Sequence, residues 1–394
     1  MRSVVFYILL LLFTQIATEA QNACPIIPQP QQSTAVNETF LLNKHTPVLV
    51  EEESLQPVAR YLQQQLLVQH RIPLSIQTKA AAPFIKLSLV KKGNSEEAYQ
   101  LVMNAKQIHI TGADSRAVFY GVISLLQLTS GSKSSDDHLL LHCWNINDAP
   151  LLGWRGLMLD ESRHFLGMEK VKSILNWMAF YKLNRFHWHL TDEPAWRIEI
   201  KKYPRLTLVG GIGSYTNPDV PAQFYTQQQI AEVVRYAAER NITVIPEIDM
   251  PGHATAANMA YPAFSGGGSE KHPEFTFHPG KEGTYGYLTD ILREVNALFP
   301  SNMLHLGGDE VSFGNDKWMA DTDVKSLMAR KKLATVQEVE QYFMQRMADS
   351  VYSMNAKLLA WDEVANMNFP TDKTIVFWWR HDKPDQLATA LNKG

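Results

Sequence analysis

From residue 151 onward, short apolar runs alternate with amphipathic stretches of helical period, and this rhythm constrains the fold more than any other feature. The apolar runs predict strands at 157–160, 185–190, 243–248, 303–306, 358–361 and 375–379. Helices are expected between them at 169–181, 227–240, 288–298 and 336–354. Strands separated by helices argue for a parallel sheet, because each crossover returns the chain to the same end. At least four of these strands run into polar residues: Asp160, then Thr191-Asp192, then Glu247-Ile248-Asp249, then Asp309-Glu310. In a (β/α)₈ barrel the catalytic groups collect at the C-terminal strand ends. A doubly wound sheet is the alternative, but no Gly-rich phosphate fingerprint follows the early strands. The expected fold is therefore a TIM barrel over 150–394. A whole barrel takes ~250 residues, yet two long loops leave room here for six strands. The barrel is thus expected to be C-terminally truncated, and the chain a fragment of a longer reading frame.

Upstream, 24–148 reads as a small α+β domain, with Asp148-Ala149-Pro150 as the boundary. Strands are expected at 47–51, 84–90, 107–111 and 139–143, and helices at 55–70 and 115–128. No constellation of polar groups appears there, so its role is expected to be structural. Residues 1–20 read as a signal peptide: Arg2 leads an apolar run over 4–13, too short to span a bilayer, and Thr18-Glu19-Ala20 supplies the cleavage site. Secretion or periplasmic export is expected, with a lipid anchor on Cys24 the minor alternative. Cys24 and Cys143 are the only cysteines, and sequence leaves their pairing open. Asn37-Glu38-Thr39 is a glycosylation sequon, relevant in a eukaryotic host. The net charge of −3 gives no electrostatic case for nucleic acid or an anionic membrane.

Four clusters could carry chemistry. In His305-Leu306-Gly307-Gly308-Asp309-Glu310 a strand passes through two glycines into adjacent carboxylates. Carboxylates so placed repel, which suits a general acid; a solvated turn is the bland alternative. In His187-Trp188-His189-Leu190-Thr191-Asp192 the two histidines share one strand face. They read as hydrogen-bonded core histidines or as zinc ligands with Asp192. Asp249 and His253 offer a carboxylate–imidazole pair, and Arg155 a fork for sugar hydroxyls or a structural ion pair. Trp361, Trp378 and Trp379 put aromatics at two consecutive strand ends, as sugar platforms or as core.

Together these pieces resemble glycoside hydrolase family 20, the β-N-acetylhexosaminidases. Trp154-Arg155-Gly156 through Asp160 and Ser162-Arg163-His164-Phe165 are similar to its barrel opening, and residues 305–310 to its signature. The resemblance implies an exo-acting enzyme that needs no cofactor and no metal. Its partner would be an oligosaccharide or glycoconjugate ending in N-acetylhexosamine. It implies substrate-assisted, retaining catalysis, with Glu310 as general acid/base and Asp309 orienting the 2-acetamido group. Arg155 would hold ring hydroxyls. Asp192 and His253 would relay behind Glu310, with Asp249 and His305 in support. Trp361 and Trp378 or Trp379 would wall the acetamido pocket. Two departures stand out: Glu193-Pro194-Ala195 precedes Trp196 where the family more often has Gly, and its late-strand Tyr, Asp, Trp and acidic residues are absent. Two rival readings are a zinc-dependent barrel hydrolase built on His187 and His189, and a sugar-binding homologue without turnover.

Overall fold

The computed structural model describes residues 23–90, 96–135 and 137–393. The signal-like segment 1–20 lies outside them. The chain divides into two compact units. One holds the residues up to Arg155 together with Trp177–Leu183; the other holds Gly156–Asn176 and the chain from Asn184 onward.

In the first unit, eight strands form one sheet: β1 (Gln32–Asn43), β2 (Val48–Val50), β3 (Ile76–Gln77), β4 (Phe84–Leu89), β5 (Tyr99–Asn104), β6 (Gln107–Gly112), β7 (Lys133–Ser135) and β8 (His138–Asp148). Their order is β1-β8-β5-β6-β4-β2-β3, with β7 beside β8. The β1/β8, β8/β5 and β5/β6 pairs are antiparallel, and β6/β4, β4/β2 and β2/β3 are parallel. β1, β3, β5 and β7 have no counterpart among the expected strands. β1 pairs with β8 through a register shift between Val36 and Thr39, so Asn37 and Glu38 break the period-two pattern that marks a strand. Cys24 and Cys143 are both free thiols.

The helix Ser115–Ser130 begins where the Asp114 side chain accepts from the Ala117 N–H at 2.9 Å, satisfying one of the open donors of its first turn. Gly121 lies inside this helix, where alanine would be favoured by roughly 0.5–1 kcal/mol on propensity. Packing decides otherwise: a Cβ there would stand 2.4 Å from Ile110 Cγ2 and 3.1 Å from Tyr99 Cδ2, on β6 and β5.

The second unit is built on six parallel strands: β9 (Gly156–Asp160), β10 (Arg185–His189), β11 (Thr243–Met250), β14 (Met303–Gly307), β15 (Lys357–Trp361) and β16 (Thr374–Phe377). They lie side by side in chain order, as strands of a TIM barrel do, with β9 and β16 at the edges. A two-stranded hairpin, β12 (Ser265–Gly267) and β13 (Thr276–Phe277), sits in the β11–β14 connection. Two of the connecting helices, Gln227–Ala238 and Val336–Ser353, open with reciprocal capping boxes, Thr226 with Gln229 and Thr335 with Glu338. The loop after β14 has a core of its own, in which the indole of Trp318 packs with Val311, Val324, Leu327 and Val339. Register places Asp160, His189, Glu247 and His305 in one row across β9, β10, β11 and β14. The polar residues at the strand ends therefore gather at one end of the sheet.

Gly121→Ala is expected to destabilise the first unit by about 1–3 kcal/mol through overpacking, more than the helix propensity it gains. Denaturant unfolding of the variant measures the difference.

Candidate active site

The site is assembled around buried Glu247 of β11. His187 Nε2 and His189 Nδ1 approach its Oε2 at 2.7 and 2.6 Å, and His305 Nδ1 its Oε1 at 3.0 Å. Trp361 Nε1 donates to Oε1 at 2.9 Å. Burial alone would raise the Glu247 pKa; the imidazoles of His189, His305 and His187 override it and hold the carboxylate well below its ordinary range.

From His189 the chain of contacts runs outward. His189 Nε2 lies 2.9 Å from Asp192 Oδ2, which also receives the Arg163 guanidinium. Asp192 Oδ1 faces His253 Nδ1 at 3.0 Å. His253 Nε2 then stands 3.5 Å from Asp309 Oδ2 and 3.4 Å from Glu310 Oε2. Burial would push the His253 pKa down, but Asp249, Asp192, Asp309 and Glu310 together hold it far above its ordinary value. Burial would push Asp192 up, and its bonds to His189 and His253 hold it below its ordinary value instead. His253 thus lies between Asp192 and the acid pair Asp309–Glu310, with its protonated form favoured.

Local backbone makes the juxtaposition. Gly307 and Gly308 both have positive φ, 69° and 87°. A Cβ on Gly307 would fall 1.7 Å from Asp249 Oδ1 and 3.1 Å from Asp309 Oδ1, so only glycine leaves room for the two carboxyls. His253 and Glu310 are themselves left-handed, with φ 54° and 52°, and such strain in non-glycine residues collects at functional sites. Asp249 is buried and its carboxyl has no hydrogen-bond partner among the described residues. Burial, then the neighbouring Asp309 charge, drives its pKa well up. It makes no hydrogen bond to His253; it stands against Asp309, and burial with that neighbouring charge disfavours its ionised form.

Glu310 opens into a cleft of about 780 Å³, which Phe313, Glu340, Glu363 and Trp379 also line. Burial pushes Glu363 up to about 7. Asp362, fully buried, accepts from Arg380 Nε and Nη2 at 2.9 and 2.8 Å and from the Trp379 N–H at 3.2 Å. This pins Trp379 beside Trp361, their ring centres 6.4 Å apart at 64°.

Two expected site residues lie elsewhere. Arg155 belongs to the first unit and precedes β9, at the strand end opposite Asp160. Its guanidinium is held by Glu97 at 2.9 Å and by the carbonyls of Lys182 and Leu152, which is the structural ion pair rather than the sugar fork. The arginine at the site is Arg163, just past β9, bonded to Asp160 and Asp192. Trp378 also points away: neighbouring residues of an extended chain face opposite sides. Its indole donates to the Lys383 carbonyl and packs on His381 in a separate apolar cavity near Leu387 and Leu391. The zinc alternative is not favoured. His187 and His189 close on Glu247, and the Asp192 carboxylate is taken up by the Arg163 guanidinium together with His189 and His253. Glu247 and Arg163 were assigned no role from sequence. Their signals were an acid inside an apolar strand, two residues before Asp249, and a cation just beyond a strand ending in Asp160.

Residues 152–394 match the model of the glycosyl hydrolase family 20 catalytic domain, and residues 23–149 that family's domain 2. The chain belongs to glycosyl hydrolase family 20. Within it, the chain is 36% identical over 381 residues to a β-hexosaminidase of Porphyromonas gingivalis, covering 92% of this chain and 48% of that relative. It is 32% identical over 383 residues to a β-hexosaminidase of Vibrio furnissii, covering 92% of this chain and 61% of the relative. The solved structure of a family 20 exo-β-N-acetylglucosaminidase from Vibrio harveyi in complex with N-acetylglucosamine superposes with a TM-score of 0.86 at 29% identity, over 94% of this chain and 59% of that one. The chain thus spans about half to three fifths of the length of these family 20 relatives.

Asp192→Asn is expected to cost about 3–5 kcal/mol, because it leaves buried cations uncompensated. Asp192 is held below its ordinary 3.8, so its contribution is full above that pH and is lost as pH falls through the depressed value. His253 is held above its ordinary 6.5, so its contribution is full below that pH and is lost as pH rises through the raised value. The stability gap between wild type and variant should therefore be widest between pH 3.8 and 6.5, as read by unfolding across pH.

Proposed function

We propose that this protein is an exo-acting β-N-acetylhexosaminidase that removes terminal non-reducing GlcNAc or GalNAc by substrate-assisted, retaining hydrolysis. The observation that carries this reading is the placement of His253 Nε2 within 3.5 Å of Asp309 and 3.4 Å of Glu310 at a cleft. Its support from kinship is that the named relatives are β-hexosaminidases.

In this reading Glu310 donates its proton to the glycosidic oxygen as the bond to C1 breaks. The acetamido carbonyl oxygen of the same sugar bonds to C1 and forms an oxazolinium ion. The Asp309 carboxylate faces the acetamido N–H and stabilises the positive charge that develops. Water, losing its proton to Glu310, then opens the ring with net retention. His253 and Asp192 orient Glu310 from behind, Arg163 holds sugar hydroxyls, and Trp361 with Trp379 walls the acetamido group. Secretion through a signal at 1–20 is part of the proposal and matches a glycan or glycoconjugate substrate outside the cell.

Glu310→Gln should depress hydrolysis of N,N′-diacetylchitobiose by about 10²–10⁴-fold and that of activated aryl N-acetylglucosaminides much less, since a good leaving group needs little protonation. Equal losses on both substrates would count against the acid role. Asp309→Asn should be impaired on every 2-acetamido substrate by about 10²–10³-fold. Wild-type protein that cleaves an aryl β-glucoside as fast as the aryl N-acetylglucosaminide would refute substrate assistance.

A further inference from the structure

The turn that follows the acid pair carries an aromatic residue that the mechanism above does not use. Phe313 closes the short helix Val311–Phe313, and its N–H donates to the Glu310 carbonyl at 2.9 Å. It is 46% exposed and lines the same cleft as Glu310. One side of its ring is occupied: His272 stacks on it with ring centres 5.6 Å apart at 28°. His272 is fixed in turn, with Nδ1 at 3.1 Å from both carboxylate oxygens of Glu193. It also packs edgewise on buried Phe275, whose other neighbour is His253, at 4.8 Å. Gly314 locks the turn, because a Cβ there would meet Phe275 Cβ at 2.4 Å.

Packing alone does not account for this arrangement. A phenylalanine placed to fill the rim would bury its ring, whereas this one is braced from behind and left open toward the cleft. The group it meets follows from the chemistry. Glu310 protonates the oxygen that joins the cleaved sugar to its leaving group, so the leaving group lies beside Glu310. The apolar C–H face of a pyranose matches an exposed aromatic ring.

Resting on the proposed activity, we infer that Phe313 is the platform for the leaving-group sugar ring, with His272 and Glu193 as positioning residues that hold it. The carboxylate that fixes His272 comes from Glu193, directly after Asp192.

The test reads binding, which does not require turnover. The sulfur-linked, non-hydrolysable analogue of N,N′-diacetylchitobiose and free N-acetylglucosamine are each titrated calorimetrically into the wild-type chain and its variants. Phe313→Ala should weaken the disaccharide analogue by about fivefold to tenfold and the monosaccharide by less than about twofold. Phe313→Trp should restore the disaccharide affinity, and His272→Ala should weaken it in the same direction by a smaller factor. Equal weakening of both ligands by Phe313→Ala, no weakening of the disaccharide, or no binding of it by wild type would each overturn the assignment. A protein that shows the Phe313-dependent preference yet cleaves no N-acetylhexosaminide keeps the platform and loses the proposed activity.

Discussion

Charge that alternates in sign along a buried path holds the site together. It begins at Glu247, where three imidazoles and an indole converge on one carboxylate, and passes through His189 to Asp192 and through His253 to Asp309 and Glu310. Burying any one of these ions alone would cost several kcal/mol. Each is tolerable because its neighbours carry the opposite sign and because the hydrogen-bonding geometry is fixed by strands. Removing a single member therefore does more than delete one contact: it leaves a buried charge without its partner.

Regular backbone supplies that fixity. Parallel register sets Asp160, His189, Glu247 and His305 in one row, and the two-residue period brings His187 to the same face as His189, while Asp249 lies in the stretch from Glu247 to Met250 where the register with β14 shifts. Departures from regularity come where the row must give way to a site. Gly307 and Gly308 turn the chain, and the absent Cβ at Gly307 is filled by the Asp249 carboxyl. Burial and the neighbouring Asp309 charge push the Asp249 pKa well up, which eases the crowding of two carboxyls in this space. Arg163 and Asp362 act as the outer anchors, one on β9's acidic end and one holding Trp379 through its backbone N–H.

Much of this was legible in the sequence because it follows from period and position. Strand–helix alternation fixed the order of the six parallel strands, and polar residues past strand ends pointed to Asp192, Asp249, Asp309 and Glu310. His253 was found because it lies four residues beyond Asp249 in a short, glycine-bearing turn. What stayed hidden depends on direction rather than pattern. Arg155 and Arg163 flank the same strand, and only the strand's polarity tells which one reaches the catalytic end. Trp378 and Trp379 are adjacent, so parity decides which faces the cleft, and the boundary of β16 sets parity. Glu247 looked like an ordinary strand-end acid because its partners come from three other strands. β1 escaped notice because a two-residue register shift interrupts its alternation.

The state of His253 is the most direct measure of whether this charge path operates. Its pKa is held far above the ordinary 6.5 by the surrounding carboxylates, against the effect of burial. Nitrogen-15 NMR of the ring-labelled protein, followed from acid to mildly alkaline pH, reads both ring nitrogens directly. If the path holds, His253 shows two protonated nitrogens throughout the titration and no transition near neutrality. A ring that loses its proton near pH 6.5, or is neutral from the outset, would contradict the alternating-charge arrangement on which the site depends.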